Sequence, residues 1–574
     1  MNTKRKNKAK LYLVVGVLLV LTIMLLPVAS FSQVSLVPAT HSVYDWLAYQ
    51  RAAGLILEYN HEDLPINRGK IVSYLSRIEE NRDDLSWSDK ATLDAYQQEF
   101  DARFLKRSAE KGLFTSKDKF KDRLKYFATS RDEPHLFAIY DSTSNSYGAF
   151  DFQFGRAEVN AWEKGDWRWA RYYYKGVRLY GTIQGIYGVH IEADNVSSAG
   201  DDRLLLVDPR WGTSQKLLDN KSTSSYSYET IVTVQSRYLS VDLGHGSLSV
   251  GPGISSSLLL NVDSPNFNWL RLKLDTKFID YTAIHGSLFA KPYETTVQYG
   301  NIEARSRVSP NRFISLHRIS LRPVKRIKVS FTEYILYSNT NMEIGKLNPV
   351  SPLIFTELDG GDKNNLIISS DIVVNPIDRV EIYGSVLIDD LVSFKNLFND
   401  SGDYDNDVAY NFGTNISLPY SILFSSGFTR IQPFVYTHWQ QLNTVEQRKI
   451  GLGHEAGPNS ETVEFSIKKW LPYRSSINLS YKKVKKGFNP IDANGNVTEN
   501  IGGDLNLGSE GPSQRGYRMF ENADVNTWNQ LELGVQIEPW RGVILNARLI
   551  DRKVTKGNRL NNFRYIDLRF RFGF

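Results

Sequence analysis

The chain contains no cysteine. That excludes a disulfide frame, a thiolate metal centre and lipid attachment to an amino-terminal cysteine. Long apolar runs are as scarce. Beyond residue 32 none is long enough to cross a bilayer as a helix, so a mature chain that spans a membrane does so as a closed barrel. A strong one-sided charge is missing too. Of the formal net charge of +6, five positive charges (Lys4, Arg5, Lys6, Lys8, Lys10) precede the apolar run Leu11 to Leu26. With Ser30 and Ser32 placed three and one before Gln33, residues 1–32 read as a secretory signal cleaved near Ser32, which leaves a balance of +1. The apolar run is shorter than the roughly 18–20 residues a membrane helix needs. A nearly neutral mature protein has no concentrated basic footprint, which argues against nucleic acid as a partner.

What is present is alternation. From Arg564 to the terminal Phe574, residues Ile566, Leu568, Phe570, Phe572 and Phe574 fall on one side of a period-two ribbon, and Tyr565, Asp567, Arg569, Arg571 and Gly573 on the other. A soluble sheet with such a face needs an apolar partner layer, and no other part of the chain supplies a large one. In a transmembrane barrel, lipid takes the apolar face and the lumen takes the arginines. The same pattern recurs at Phe150, Phe152 and Phe154, at Val177 to Gln184, and at Ile477 to Lys482. Leu531 to Ile537 and Val543 to Leu549 form a hairpin about a tight turn at Pro539 to Gly542. From about 440 residues at roughly 10 per strand plus connections, a barrel of about 16–18 antiparallel strands is expected over residues 134–574. Asp194 to Asp202, Phe398 to Asp407 and Asn489 to Arg518 have the polar texture of outer loops.

Residues 33–133 have a different texture, expected to form a periplasmic helical region and linker. A first helix carries Trp46, Leu47, Tyr49 and Gln50 and stops at Gly54; a second follows Pro65 with Ile71, Val72, Leu75 and Ile78. A third, capped by Ser88, carries Leu93, Tyr96, Phe100 and Phe104. Residues 108–133 read as a charged loop.

Candidate site residues are Arg318, Glu333, Asp389 and Asp390, expected to form a polysaccharide-binding or lumen-bracing polar network on the barrel strands. Asp389 and Asp390 cannot share a proton from a strand, where neighbours point to opposite faces. His317, His438 and His454 have no partner spacing that identifies a catalytic triad, so no enzyme is expected. Asp403, Asp405 and Asp407, like Asp492, Asn494 and Asn496, match half of a calcium loop without its terminal Glu, so neither a metal nor a cofactor is expected.

Taken in order, Tyr44-Asp45-Trp46-Leu47 through Gly54, Val250-Gly251-Pro252-Gly253, His317-Arg318, Glu333-Tyr334, Leu347-Asn348-Pro349, Asn364-Asn365, Asp389-Asp390 and Gly453-His454 resemble the Wzi-type capsule-assembly proteins of the bacterial outer membrane. The resemblance covers roughly Tyr44 to Phe574. One departure is Val250, which stands where the family pattern has an aromatic before Gly-Pro-Gly. The resemblance implies a large outer-membrane barrel over a periplasmic helical bundle that binds capsular polysaccharide or exopolysaccharide like a lectin. Its implied partners are that polymer, outer-membrane lipid and the capsule export machinery. A diffusion channel for oligosaccharides or small solutes is the alternative.

Overall fold

The computed structural model describes residues 33–573, apart from 131, 134, 202–203, 205–215, 218–221, 300–301, 361–362, 390–406 and 509–516. Residues 1–32, expected to be a secretory signal, lie outside the described residues, as do Phe574 and most of the stretch from Phe398 to Asp407.

Eighteen antiparallel strands close into one barrel. In chain order they are β1 (Ser146–Glu163), β2 (Asp166–Ile183), β3 (Tyr187–Gly200), β4 (Ser222–Gln235), β5 (Leu239–Gly246), β6 (Phe267–Asp275), β7 (Ile279–Leu288), β8 (Arg312–Val324) and β9 (Ile327–Ser338). Then follow β10 (Asn365–Ile377), β11 (Val380–Asp389), β12 (Asp407–Leu418), β13 (Ile422–Ile431), β14 (Ser460–Leu471), β15 (Ser475–Phe488), β16 (Asp524–Trp540), β17 (Val543–Lys556) and β18 (Phe563–Gly573). The seam joins β18 to β1, from Phe563 opposite Glu163 to Gly573 opposite Gln153. A short lead-in strand, Phe137–Asp141, pairs with the part of β1 that β18 leaves free.

The alternation of the last strand appears as expected. Leu568 and Phe570 are exposed on the outer wall, whereas Tyr565 and Asp567 are buried and Arg571 reaches Glu192 along the inner wall at 2.9 Å. Asp194 to Asp202 is mostly not a loop. Its residues to Gly200 belong to β3 and pair with β2 and β4, because a polar strand keeps its ladder as well as an apolar one.

One rim carries only short turns, such as Arg541-Gly542; most connections on the other rim are long. Among the described residues five α-helices precede the wall: α1 (Val43–Ala52), α2 (Arg68–Glu79), α3 (Trp87–Phe100), α4 (Ala102–Lys111) and α5 (Phe120–Thr129). The first three match the sequence pattern, with one correction at a cap. Asp89 donates its backbone N–H to Ser86 Oγ at 3.0 Å, so Ser86 and not Ser88 starts α3; Ser88 hydrogen-bonds the Trp470 carbonyl of the wall at 2.8 Å. Phe104 falls in α4, and the charged stretch expected to be a loop contains α5.

The helices close the short-turn rim. Tyr49 stacks on Trp470 with centroids 4.7 Å apart, and Thr92 donates to the Tyr473 carbonyl at 2.8 Å. The chain before α1 is packed as closely: a Cβ on Gly188 of β3 would lie 2.7 Å from the Ser35 backbone.

Candidate functional site

The lumen is occupied from both ends. From the helical side, Asp63–Leu64 runs inside the barrel. From the opposite side, the connection between β5 and β6 folds inward, and its Ser249–Val250 pairs antiparallel with Asp63–Leu64. Gly251, at φ +92°, turns the chain there and donates its N–H to the Glu62 carbonyl at 3.1 Å. Val250 is buried beside Leu258, Leu259 and Leu260, against inward side chains such as Trp269, Leu316 and Tyr334. It is a core strand residue and offers no ring to a ligand. The connection between β13 and β14 joins the same core through Val435, Tyr436, Val445 and Leu452, with the Tyr436 hydroxyl donating to the Leu258 carbonyl at 2.8 Å.

Buried ion pairs fix this filling to the wall. The Arg51 guanidinium, from α1, reaches Glu381 of β11 at 2.7 and 2.9 Å and Glu62 at 2.7 and 3.0 Å, and Lys328 of β9 pairs with Glu62 as well. Burial alone would push the Glu62 carboxyl up; the Arg51 and Lys328 charges reverse this and hold it well below the usual carboxylate range. Glu99 is set the same way, its burial outweighed by His41, Arg474 and Arg541. Asp63 pairs with Lys273 at 2.7 Å and accepts from Thr282 at 2.7 Å.

The four candidate residues do not form one network. Arg318 points into the lumen and binds Asp371 at 2.7 and 3.0 Å and Thr332 at 2.8 Å, tying three wall strands together. Glu333 sits opposite His317 in the β8–β9 ladder and points away from the lumen, which corrects its expected place; the period-two pattern gives the spacing but not which face is inside. Asp389 faces inward and accepts from the Tyr436 N–H. Asp390 lies outside the described residues, as do Asp403 and Asp405. Asp492 accepts the Asn494 and Asn496 N–H groups at 2.8 and 2.9 Å, closing a turn on itself.

Beside the filling, cavities of about 670 and 350 Å³ remain along one side of the lumen, sharing Gln536, Asn546 and Arg569 as lining.

A second feature carries no sequence motif. β1 and β2 are each 18 residues long, and the polarity of their ribbon inverts along its length. On β1, Phe150, Phe152 and Phe154 face outward, but farther along the same side stand Arg156, Glu158, Asn160 and Trp162, while Ala157, Val159 and Ala161 pack inward with Ala170, Tyr172, Val196, Leu204 and Tyr565. A lipid-facing strand does not carry three consecutive outward polar positions, so this hairpin rises beyond the apolar belt. Its outward face pairs Trp162 with Trp167, Asn160 with Trp169, Glu158 with Arg171 and Arg156 with Tyr173. Arg171 lies 4.9 Å from the Trp169 ring centre and Arg156 lies 5.4 Å from that of Tyr173; Glu158 bridges the two arginines at 3.1 and 3.5 Å. Rings alternating with hydrogen-bonding groups on one face of paired strands can stack on sugar C–H faces and partner hydroxyls. The signal for it in the sequence is the run from Trp167 to Lys175, where aromatic and basic residues share both faces.

No protein-family model and no curated protein matches the sequence. Among solved structures, Wzi of Escherichia coli, an outer-membrane protein involved in group 1 capsule assembly and described as a carbohydrate-binding β-barrel, is similar over 93% of this chain and 99% of that one, with a TM-score of 0.54 and 12% identity. Two Pseudomonas aeruginosa structures, the outer membrane protein OprD and OpdQ, align over 74% and 76% of this chain and 93% and 99% of theirs, with TM-scores of 0.40 and identities of 11% and 9%. The first likeness supports the fold; the other two are too distant to add to it.

Proposed function

We propose that the protein is a bacterial outer-membrane barrel that holds capsular polysaccharide or exopolysaccharide at the cell surface and performs no covalent chemistry. The observation that carries this reading is the antiparallel contact of Asp63–Leu64 with Ser249–Val250 inside the barrel, where a helical domain and an outer connection meet across the space a channel needs. The projecting face of β1 and β2 supplies rings and hydrogen-bonding groups suited to sugar, and the likeness to a carbohydrate-binding barrel points the same way. In this reading the helical domain faces the periplasm, the capsule export machinery delivers the polymer, and the barrel retains it.

The diffusion-channel reading rests on the side cavities along the lumen. Planar-bilayer conductance and retention of polysaccharide released from the source cells separate the two. A small current with retained polymer is the expected outcome; a large steady current without retention overturns the proposal.

A further inference from the structure

The connection between β9 and β10 does not rise from its rim. It carries two short helices, α6 (Ile344–Leu347) and α7 (Leu353–Gly360), and its described residues lie back against the outer wall. Tyr281, which faces outward from β7, donates its hydroxyl to the Pro349 carbonyl. Leu353 is wholly buried against Phe313, Ile335 and Tyr337, the outward side chains of β8 and β9. Glu333, which points away from the lumen, takes the first N–H groups of α7: Leu353 donates to its Oε1 at 2.9 Å and Ile354 to its Oε2 at 3.5 Å, with His317 Nδ1 at 3.4 Å. A carboxylate on this wall is expensive unless partnered, and here it latches the strap.

The opposite side of the strap is apolar and uncovered. Ile344 is 78% exposed, Val350 85%, Phe355 61% and Leu358 71%. Leu347 to Thr356 carries no charged residue. Below it, Ile319, Leu321, Val329 and Phe331 continue the same apolar outer surface. Irregular backbone survives in hydrocarbon only if its polar groups find partners within the protein. From Asn348 to Phe355 every N–H has one: Asn348 to the Gly345 carbonyl at 3.3 Å, Val350 to Asn348 Oδ1 at 3.2 Å, Ser351 to the Asn348 carbonyl at 3.2 Å, and Phe355 to the Pro352 carbonyl at 3.2 Å, alongside the two that Glu333 accepts. Pro349 and Pro352 have no N–H to satisfy.

We infer that residues 344–358 form a lipid-embedded flange on the outer wall of the barrel, latched by Glu333, whose partner is the acyl-chain region of the bilayer. The inference rests on the membrane-barrel reading, and the test keeps the two apart. Because the chain lacks cysteine, single nitroxide labels can be placed by Val350→Cys, by Leu568→Cys on the lipid-facing side of β18, and by Asn494→Cys in an outer connection, in the full-length protein reconstituted in phosphatidylcholine vesicles. Collision with oxygen, which concentrates in hydrocarbon, is compared with collision with a water-soluble nickel chelate. The label at 350 is expected to match the one at 568, favouring oxygen, with the one at 494 favouring nickel. If the label at 350 matches 494 while 568 favours oxygen, the flange is overturned and the barrel stands. If 568 also favours nickel, both fall.

Discussion

Replacing Arg51 by methionine keeps an unbranched apolar stem and deletes the guanidinium and its charge. The four buried groups Arg51, Lys328, Glu62 and Glu381 balance as two cations and two anions, so the variant leaves one carboxylate uncompensated and removes four guanidinium contacts of 2.7–3.0 Å. Breaking a buried pair by removing one partner costs about 3–5 kcal/mol. Eighteen hydrogen-bonded strands hold the wall, so the loss falls on seating of the helical domain, whose docked-to-undocked ratio should drop by roughly two to nearly four powers of ten. Conductance reports it, since release of α1 and of Asp63–Leu64 clears part of the lumen: brief openings should appear in Arg51→Met and be rare in the parent. Protease accessibility of residues 43–100 should rise in parallel. The double variant Arg51→Met with Glu381→Gln restores neutrality and should recover part of the loss. If the single variant conducts and resists protease like the parent, or if the double variant is worse by the sum of both single effects, the account of the buried cluster is refuted.

Three further outcomes are expected. Glu62 and Glu99 titrate lower when docked than when free, so their contribution is complete above the free-carboxyl value of about 4.3 and fades as pH falls through the docked values; protection of the helices from an acid-stable protease should therefore drop only below about pH 4. Gly188→Ala forces a methyl against the Ser35 and Val34 backbone and should weaken docking of the amino-terminal segment by about 1–3 kcal/mol, read as earlier urea release of the helices with the strands intact. Trp167→Ala and Tyr173→Ala, both exposed, should each lower polysaccharide affinity by about 0.5–1.5 kcal/mol in a fluorescence titration and leave barrel formation unchanged; unaltered affinity in the combined variant would remove the hairpin from the binding surface.

The wall was legible because lipid and lumen demand opposite residue types at each step, as Leu568 and Asp567 illustrate. The range of about 16–18 strands followed from length, and the wall has eighteen. Helices α1 to α3 could be read from their apolar stripes and stop signals, whereas α4 and α5 hide in charged sequence. What the pattern could not give was direction across the wall at polar positions. His317-Arg318 and Glu333-Tyr334 each place a polar group on either face, and the covering that makes an outward Glu333 tolerable comes from Leu353 and Ile354, a separate stretch of chain. The meeting of Asp63 with Val250 was equally invisible, since nothing local to either stretch names the other.

The shared edge of β1 bears on how such a molecule is put together. Phe137–Asp141 and β18 lie end to end along that edge, so the tether from the helices and the final segment of the chain occupy adjoining slots in the same ladder. Translation delivers the helical domain first and the last strand more than four hundred residues later, and the domain hangs within a few residues of the place where the cylinder finishes. Closing the cylinder and installing its contents are therefore expected to be coupled. A defect in either is expected to surface as a defect in both.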